Sequence, residues 1–550
     1  MRQLHRGERW LFLLPLTLLG VASLYAQTAK DATFLSTLGE LREATYSDKA
    51  HIVERLSQTG HRNLRQVLTA FMEGRLYYRN SDQHIFLAKT ADEDPLSLID
   101  PITLKSAGIA PNDTVTAIGT NNSLRAALRK TVARFALSSD DTEVRLDAVR
   151  EMSRSLDEET TTLLRVQEKV EKNAGVKREI ATALALAALD GTDAKARLDA
   201  VNTLKGSISQ DVRNRLALLL GKSPDGAGFV ESDKKIRDAA AAAVSNIDMW
   251  RNFYSGVETL FFGLSLGSVL VLIAIGLAIT FGVVGVINMA HGELMMLGAY
   301  TTYVVQLAMP GHIGLSILVA VPAAFVVAGL IGVLMERTII RFLYGRPLET
   351  LLATFGVSLI LQQAVRSIFS ALNRSVITPD WMSGSLRLND ALAITYNRLY
   401  IVIFTLIIFA LSMLVLKRTR IGLDIRAVSQ NRSMAKAMGI RTELVDAMTF
   451  GLGSGIAGVA GVALSQLTNV GPNLGQSYII DSFLVVVFGG VGNLWGALIG
   501  GTSMGIVNKL LEPYAGAVLA KILVLVALIL FIQIRPRGLF PPSGRAAEDK

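Results

Sequence analysis

The chain has 550 residues, with 55 Lys and Arg against 46 Asp and Glu, and it contains no cysteine. The absence of cysteine excludes disulfides, thiolate metal sites and cysteine nucleophiles. The net charge of +9 does not indicate nucleic-acid binding, because many basic residues lie in short segments between apolar runs, where retention of positive loops in the cytoplasm explains them.

The first segment has the pattern of an export signal. Arg2, Arg6 and Arg9 precede the apolar stretch WLFLLPLTLLGVASLY, and Ala26 is a small residue at a cleavage position. Because Leu24 is not small, an uncleaved anchor is the alternative. Either form predicts that the segment after residue 26 is exported, so we assign residues 1–26 as a signal peptide.

The exported segment, residues 27–250, is rich in charged residues and Ala. Residues 31–118 combine Pro, Asp and short apolar runs, which favours a small mixed segment with strands and turns. From about residue 120, the string RLDAV occurs at 145–149 and again at 197–201. The sequences after the two copies also correspond, which predicts a HEAT-like stack of helix pairs. An ordinary helical bundle with a chance match is the alternative.

No catalytic or nucleotide-binding constellation stands out along the chain. Gly221, Lys222 and Ser223 spell the end of a phosphate-binding loop, but position 216 is Leu where that loop requires Gly. We therefore expect no catalytic residue, no metal site and no cofactor, and ATP hydrolysis has to come from separate subunits.

The second half of the chain consists of runs of membrane-spanning length. We predict about eight spans, near residues 258–281, 283–305, 314–335, 350–371, 397–416, 447–468, 481–507 and 516–534. The loop at 417–446 holds seven Lys and Arg residues, which predicts a cytoplasmic position. Eight spans from an exported start would leave the basic residues after 534 outside. The Gly-rich run at 481–507 is therefore expected to be re-entrant or broken in two.

Four strings in this half resemble one known family. They are GVVGVINMAHGELMMLGAY (282–300), IGLDIRAVSQNRSMAKAMGI (421–440), SFLVVVFGGVGNLWGALIGG (482–501) and RPRGLF (535–540). In this order they resemble the permease subunits of branched-chain amino acid type ABC importers. The exported helical domain is not part of the general family pattern. It is similar to the extra domain of the urea permease subunit in many bacteria.

The resemblance implies a set of partners and a location. The partners would be two ABC ATPase subunits, a second homologous permease, a periplasmic solute-binding protein and the surrounding membrane lipid, with no nucleic acid. The location would be the bacterial inner membrane, crossed several times, with the N-terminal domain in the periplasm. The implied architecture is an all-α polytopic permease at residues 251–540, after the exported domain and before a polar tail at 541–550.

Three polar residues interrupt the apolar run at 283–305, namely Asn288, His291 and Glu293. Polar side chains at membrane depth are costly unless they face a cavity or a partner, so we predict that they line or brace the solute path. Asn288 is the expected direct contact and Glu293 the expected brace. The alternative is that they lie at a helix end or join two helices by hydrogen bonds.

The 417–446 loop is the predicted site of coupling to the ATPase. The segment DIRAVSQNRSMAKAMGI favours a short helix that ends at Gly439. Ala427, Asn431 and Ala435 are four residues apart and are expected to form one small-residue side that docks closely. Arg426 and Arg432 are expected to meet acidic groups of the ATPase. A merely solvated basic loop is the alternative.

Glycines in two regions are expected to allow close helix packing. They are Gly451, Gly455, Gly458, Gly489, Gly490 and Gly492. Hinge motion during transport is the alternative role.

The preferred function is a permease subunit of an ABC importer that translocates urea, energised by separate ATPase subunits. The first alternative is a permease for a branched-chain amino acid or a short amide. A membrane sensor with an exported ligand domain is the alternative from another class, although the short cytoplasmic loops contain no visible output domain. A membrane enzyme would lack a catalytic constellation.

Overall fold

The computed structural model describes residues 30–90, 94–222 and 228–541. The predicted signal peptide and the polar tail from residue 542 lie outside these residues. The chain forms two compact units, Met1–Asp248 and Met249–Lys550. Each is described by itself below.

After a helical stretch at 30–39, the first unit continues with two helices and an antiparallel sheet. The helices are α1 (Tyr46–Gln58) and α2 (Leu64–Met72). The strands are β1 (Leu76–Arg79), β2 (Ile85–Ala88), β3 (Leu96–Ile99), β4 (Ser106–Ala110) and β5 (Val115–Ala117), in the order β4-β3-β2-β1-β5. Although the described chain is mostly helical, this sheet lies outside the all-α class. Short runs such as IFLA form its buried central strand.

Six short helices follow in the first unit. They are α3 (Asn122–Ala136), α4 (Thr142–Met152), α5 (Glu158–Val170), α6 (Ala174–Ala188), α7 (Ala194–Leu204) and α8 (Gln210–Leu219). Asp141 accepts a hydrogen bond from a backbone amide in the first turn of α4, and Asp193 does the same for α7. Such caps supply partners for amides that the helix leaves unpaired, so they fix where these helices begin.

The two RLDAV copies occupy equivalent positions and make equivalent contacts. Arg145 on α4 forms a two-pronged ion pair with Glu171, and Arg197 on α7 forms one with Glu231. Each guanidinium also donates to two carbonyl oxygens in the turn before its own helix. The match between the copies therefore extends from sequence to side-chain geometry.

The second unit is a helical bundle. Its helices are α9 (Lys234–Val284), which begins in the first unit, α10 (His291–Ala308), α11 (Ile313–Thr338), α12 (Pro347–Phe369), α13 (Tyr396–Arg418), α14 (Arg420–Gln430), α15 (Arg432–Ala437), α16 (Thr442–Ser465), α17 (Leu474–Gly489) and α18 (Leu494–Ile534). A hairpin of β6 (Ser385–Asn389) and β7 (Leu392–Thr395) precedes α13.

Within the described residues, six helices are long and apolar enough to cross a membrane, and α17 is a shorter apolar helix. Two predicted runs are interrupted. The run at 283–305 breaks at residues 285–290, where Gly285 has a φ of +70°. The run at 481–507 divides at residues 490–493, as one of the two expected alternatives stated, because Gly490 and Gly492 adopt left-handed φ values of +101° and +80°.

The last predicted run, 516–534, is part of α18. The helix is interrupted at Gly516, whose φ of 76° and ψ of 162° are not helical. Before this point α18 packs against α17 through Gly496 and Gly489, and after it Phe531 meets Phe488 of α17 with ring centroids 4.8 Å apart. The two parts of α18 therefore run in opposite directions.

Candidate transport path and coupling site

The non-helical segment at 285–290 brings Asn288 to the start of α10. The side-chain Oδ1 of Asn288 accepts a hydrogen bond from the Ala290 amide, and its carbonyl oxygen accepts one from the His291 amide. Thr354 of α12 binds the same segment, since its hydroxyl accepts from the Met289 amide at 3.1 Å. Irregular backbone among apolar helices is stable only when protein groups satisfy it in this way.

His291 is fully buried and faces α9 and α16. Its Nε2 lies 3.2 Å from the carbonyl oxygen of Ile273. Because a carbonyl can only accept, Nε2 carries the proton and Nδ1 is left as an acceptor. The ring lies against Gly276, where an added Cβ would come within 3.0 Å of the ring and 2.4 Å of the Gly453 carbonyl oxygen.

Glu293 faces a different neighbour, helix α12. Its Oε1 accepts hydrogen bonds from Gln362 at 2.7 Å and from Ser358 at 3.2 Å. These bonds join α10 to α12 inside the bundle. The contacts match the role of brace expected for Glu293, and equally the alternative in which polar residues join two helices.

The three candidate residues therefore share one region without meeting at one point. His291 and Glu293 are two positions apart on α10, so their side chains point to different sides of the helix. Each of the three retains a buried polar atom without a hydrogen-bond partner among the described residues: Asn288 Nδ2, His291 Nδ1 and Glu293 Oε2. Buried polar groups are normally paired, so each of these atoms can still make a hydrogen bond, Nδ2 as a donor and the other two as acceptors.

A polar row on α12 was not identified from the sequence. Its buried residues Thr350, Thr354, Ser358 and Gln362 are spaced four apart, and the last three contact α10 or the segment before it. A spacing of four places side chains on one face of a helix. The spacing of four between polar residues within an apolar run is the signal that could have identified this row.

Glycines of α16 bring it into close contact with α11. An added Cβ on Gly458 would lie 2.5 Å from the Ala324 carbonyl oxygen of α11, and one on Gly455 would meet the Phe325 ring at 2.7 Å. At Gly451 the nearest atom would be a Val333 methyl at 2.8 Å. These distances fit the close-packing role proposed for the three glycines.

The other three glycines divide into two kinds. Gly489 lies at a helix crossing, with its added Cβ 2.3 Å from the Gly496 backbone. Gly490 and Gly492 lie in the turn that follows, so the expectation of helix packing is wrong for them. Their positive φ values and their contacts with Phe540 and Gly282 explain why a side chain is absent.

The coupling segment is two helices rather than one. Asn431 leaves the helical conformation at the end of α14, and its side chain caps α15 by accepting from the Met434 amide at 2.9 Å. Gly439 follows α15 with a φ of +89°, as expected for a residue that ends a helix. The expected single helix is wrong because Asn431 satisfies the free amides of a new helix start.

The expected small-residue side does not form a common surface. Ala435 is buried in an apolar cluster with Ile425, Val428 and Val445. Ala427 packs partly against the same cluster. Asn431 is engaged as a cap, so these three positions are not available together for docking.

The two arginines expected to meet the ATPase make contacts within this chain instead. Arg432 pairs with the buried Asp446 of α16, and Arg426 donates to the Leu416 carbonyl oxygen of α13. Besides several exposed polar and basic side chains, the segment exposes large apolar ones. Met434 and Met438 are 61% and 77% exposed, and Leu423 is also exposed. We call Leu423, Met434 and Met438 the methionine surface.

A bundle of apolar helices with buried polar residues at a broken helix, and a basic segment at its end, defines a polytopic membrane transport protein. The model of the family "Branched-chain amino acid transport system / permease component" matches residues 259–533. The chain belongs to this family and is a transport subunit rather than an enzyme.

Relatives match this part of the chain over nearly their whole length. The high-affinity branched-chain amino acid transport system permease protein BraD of Pseudomonas aeruginosa is 31% identical, over 54% of this chain and 98% of its own. LivH of Escherichia coli K12, with the same description, is 32% identical, over 55% of this chain and 100% of its own. A probable LivH of Methanocaldococcus jannaschii is 28% identical, over 50% and 88%. No solved structure matches the chain significantly.

Proposed function

We propose that this chain is a permease subunit of an ABC importer in the bacterial inner membrane. Its partners are two ATPase subunits, a second homologous permease and a periplasmic solute-binding protein. The observation that carries the proposal is the methionine surface, which lies on the basic segment of a region that two permease relatives match over 98% and 100% of their own length. Exposed Leu423 on α14, Met434 on α15 and Met438 just after α15 suit a protein interface better than a solvated loop.

We propose nine membrane passes with the C terminus on the side of the coupling segment. The passes are α9, α10, α11, α12, α13, α16, α17 and the two parts of α18. A series of contacts supports the position of the C terminus. Phe540 meets Gly490, Gly492 meets Gly282, and Val283 packs on the cluster that contains Ile425. An odd number of passes from an exported start leaves the basic residues after 534 in the cytoplasm, as the charge rule favours.

The solute class that the comparisons favour is a branched-chain amino acid, because three relatives that match most of their own length carry that name. Urea is the second candidate, since the residues before the family match at 259 form a large additional unit. This architecture is the basis for two linked proposals, namely that the first unit is an exported HEAT-like domain and that the solute is urea. Both solutes carry polar groups that can pair with the free donor of Asn288 or with the free acceptors of His291 and Glu293, which lie in one region without meeting at one point.

Uptake by a reconstituted complex tests both the class of transporter and the identity of its solute. Vesicles containing the permeases and ATPases are supplied with the cognate binding protein, ATP and radiolabelled leucine or urea. We expect ATP-dependent accumulation of one solute and competition only by its own chemical class. Accumulation without ATP, or of neither solute with any binding protein of the same gene cluster, contradicts the proposal.

A further inference from the structure

A two-pronged ion pair holds α15 to α16. Arg432, the first residue of α15, donates from Nη1 to Asp446 Oδ1 at 3.2 Å, and its Nη2 pairs with Asp446 Oδ2. Asp446 is completely buried near the start of α16. Parallel bonds of this kind fix orientation as well as distance, and a buried carboxylate that loses its cation is strongly disfavoured.

A second set of contacts extends from the same guanidinium to α11. The Arg432 guanidinium carbon lies 4.7 Å from the centre of the Tyr344 ring. The Tyr344 hydroxyl donates to Glu336 Oε1 at 3.2 Å, and Glu336 is buried at the end of α11. The Arg337 Nε lies 3.6 Å from the other carboxylate oxygen. Thus α15 is connected to both α16 and α11.

The apolar side of the segment makes the same connection. Ala435 of α15 packs with Ile425 and Val428 of α14 and with Val445 of α16. Helix α15 is therefore held by polar contacts through Arg432 and by apolar contacts through Ala435, while Met434 and Met438 are exposed.

Helix α16 continues from this cluster to the candidate transport path. Gly453 is seven residues beyond Asp446, which is about 10 Å along a helix. An added Cβ there would lie 2.6 Å from the Gly276 carbonyl oxygen, and Gly276 is the residue against which His291 packs. Beside it, Ser454 fills the space over Gly332 of α11. Such close packing transmits a displacement because it leaves no free volume.

We propose that Arg432, Asp446, Tyr344 and Glu336 are positioning residues that join α15 to the ends of α11 and α16 as one rigid body. A displacement of α15 by the ATPase then reaches the surroundings of His291 through α16. The inference rests on the proposed function, since it requires an ATPase at the methionine surface.

The first test uses Arg432→Lys in the reconstituted complex, because Lys keeps the charge and loses the two-pronged geometry. We expect ATP hydrolysis to continue while solute imported per ATP falls about tenfold, within the usual range of coupling between sites. Arg420→Lys, at an exposed arginine of α14, is the matched control and is expected to keep the normal ratio. An unchanged ratio in Arg432→Lys overturns the inference.

The second test exploits the absence of cysteine from the chain. Ala435→Cys and Val445→Cys are combined and joined by a short reducible cross-linker. If α15 and α16 move together, the cross-linked complex keeps its uptake. Loss of uptake that a reductant restores would show that the helices separate during transport, which overturns the inference.

The unmodified complex distinguishes a failure of the proposed function from a failure of the rigid connection. If it imports no solute with ATP, the proposed function fails and the inference fails with it. If it imports solute normally and both tests give the contrary result, the proposed function stands and only the rigid connection is wrong.

Discussion

At the scale of single residues, the Arg145 and Glu171 pair illustrates how charge stabilises the first unit. The bond from Arg145 lowers the pKa of Glu171 to about 2. The Glu171 carboxylate also accepts from the Asn173 amide at 2.9 Å, so it supports the start of α6. The pair thus connects α4 to the start of α6.

We predict that acid weakens this connection selectively. Since the folded pKa of Glu171 lies below the usual value of about 4.3 for an unfolded chain, its stabilisation is complete above that value and is lost as the pH falls towards 2. Glu171→Gln should remove about 2 kcal/mol at neutral pH. Hydrogen exchange of the full-length protein, followed in peptides from α5 and α6, measures the change.

The control for this prediction is Glu159→Gln. Glu159 makes ion pairs with Lys130 and Arg134, but its side chain is 59% exposed. Exposed pairs contribute less than about 1 kcal/mol, so protection should hardly change. Equal effects of the two substitutions would contradict the argument from burial.

Close packing at α16 gives a second prediction at this scale. A Cβ on Gly461 would lie 2.0 Å from the Met295 carbonyl oxygen of α10. Gly461→Ala should therefore separate the helices and reduce folded protein in detergent by several fold, at a cost of about 1–3 kcal/mol. The thermal midpoint of the purified protein is the measurement.

Gly256→Ala on α9 is the matched substitution, because no atom lies within 4 Å of the added Cβ. There Ala should be neutral or stabilise the helix by up to about 1 kcal/mol. A similar loss in both variants would show that helix propensity rather than packing determines the result.

At the scale of elements, the methionine surface predicts where the ATPase binds. Met438→Glu places a charge at an exposed apolar position and should weaken association with the ATPase about tenfold or more, as for a residue central to an interface. Co-purification of the complex at graded ATPase concentrations measures this. The permease itself should remain folded, because Met438 is 77% exposed.

Leu388→Glu in β6 is the control for this substitution. Leu388 is also an exposed apolar residue, and it precedes α13, whereas the coupling segment follows that helix. Unimpaired association of Met438→Glu, or equal weakening in both variants, would exclude the methionine surface as the ATPase site.

The spans that were predictable from sequence are those whose helices contain one uninterrupted run. The runs at 314–335, 350–371, 397–416 and 447–468 lie within a few residues of α11, α12, α13 and α16. Hydropathy defines such helices because the whole run is apolar. The break before α10 was not predictable, since Thr354 from a distant helix stabilises it.

In the candidate site, too, some residues are identifiable from the sequence whereas their partners are not. Asn288, His291 and Glu293 are identifiable because they are polar within an apolar run. Their partners, such as Ile273 and Gln362, follow only from the packing of helices that are distant in sequence. In the coupling segment the capping preference of Asn431 was a usable signal, whereas the burial of Ala435 was not.

At the scale of the whole molecule, the nine-pass topology is testable in the cysteine-free chain. Ser429→Cys and a reporter after Lys550 should both be on the cytoplasmic side, while Leu388→Cys should react with an impermeant thiol reagent added from outside. The reason is that each pass reverses the direction of the chain. A C-terminal reporter on the external side would contradict the odd number of passes.

We further predict that the first unit is exported and acts as a docking module for the solute-binding protein. Relatives match the permease region over 98% to 100% of their own length. Deletion of residues 30–245 with the export signal retained should therefore leave an inserted permease that assembles with its ATPases. Uptake should need more binding protein for half-saturation, because an extended surface for capture is lost.

Two results would contradict this prediction in different ways. Failure of the shortened chain to insert or assemble would make the unit a structural part of the permease. Unchanged uptake at every concentration of binding protein would exclude the docking role.

The segment that follows α18 has a consequence for biogenesis. The amides of Leu539 and Phe540 donate to the carbonyl oxygens of Phe488 and Gly489, which close α17. These carbonyls lack these partners until residues 539 and 540 have been synthesised, so α17 is closed only after the whole of α18 has been made. We expect a chain truncated before residue 539 to leave these two carbonyls unpaired at the end of α17 and to be degraded faster than the intact chain.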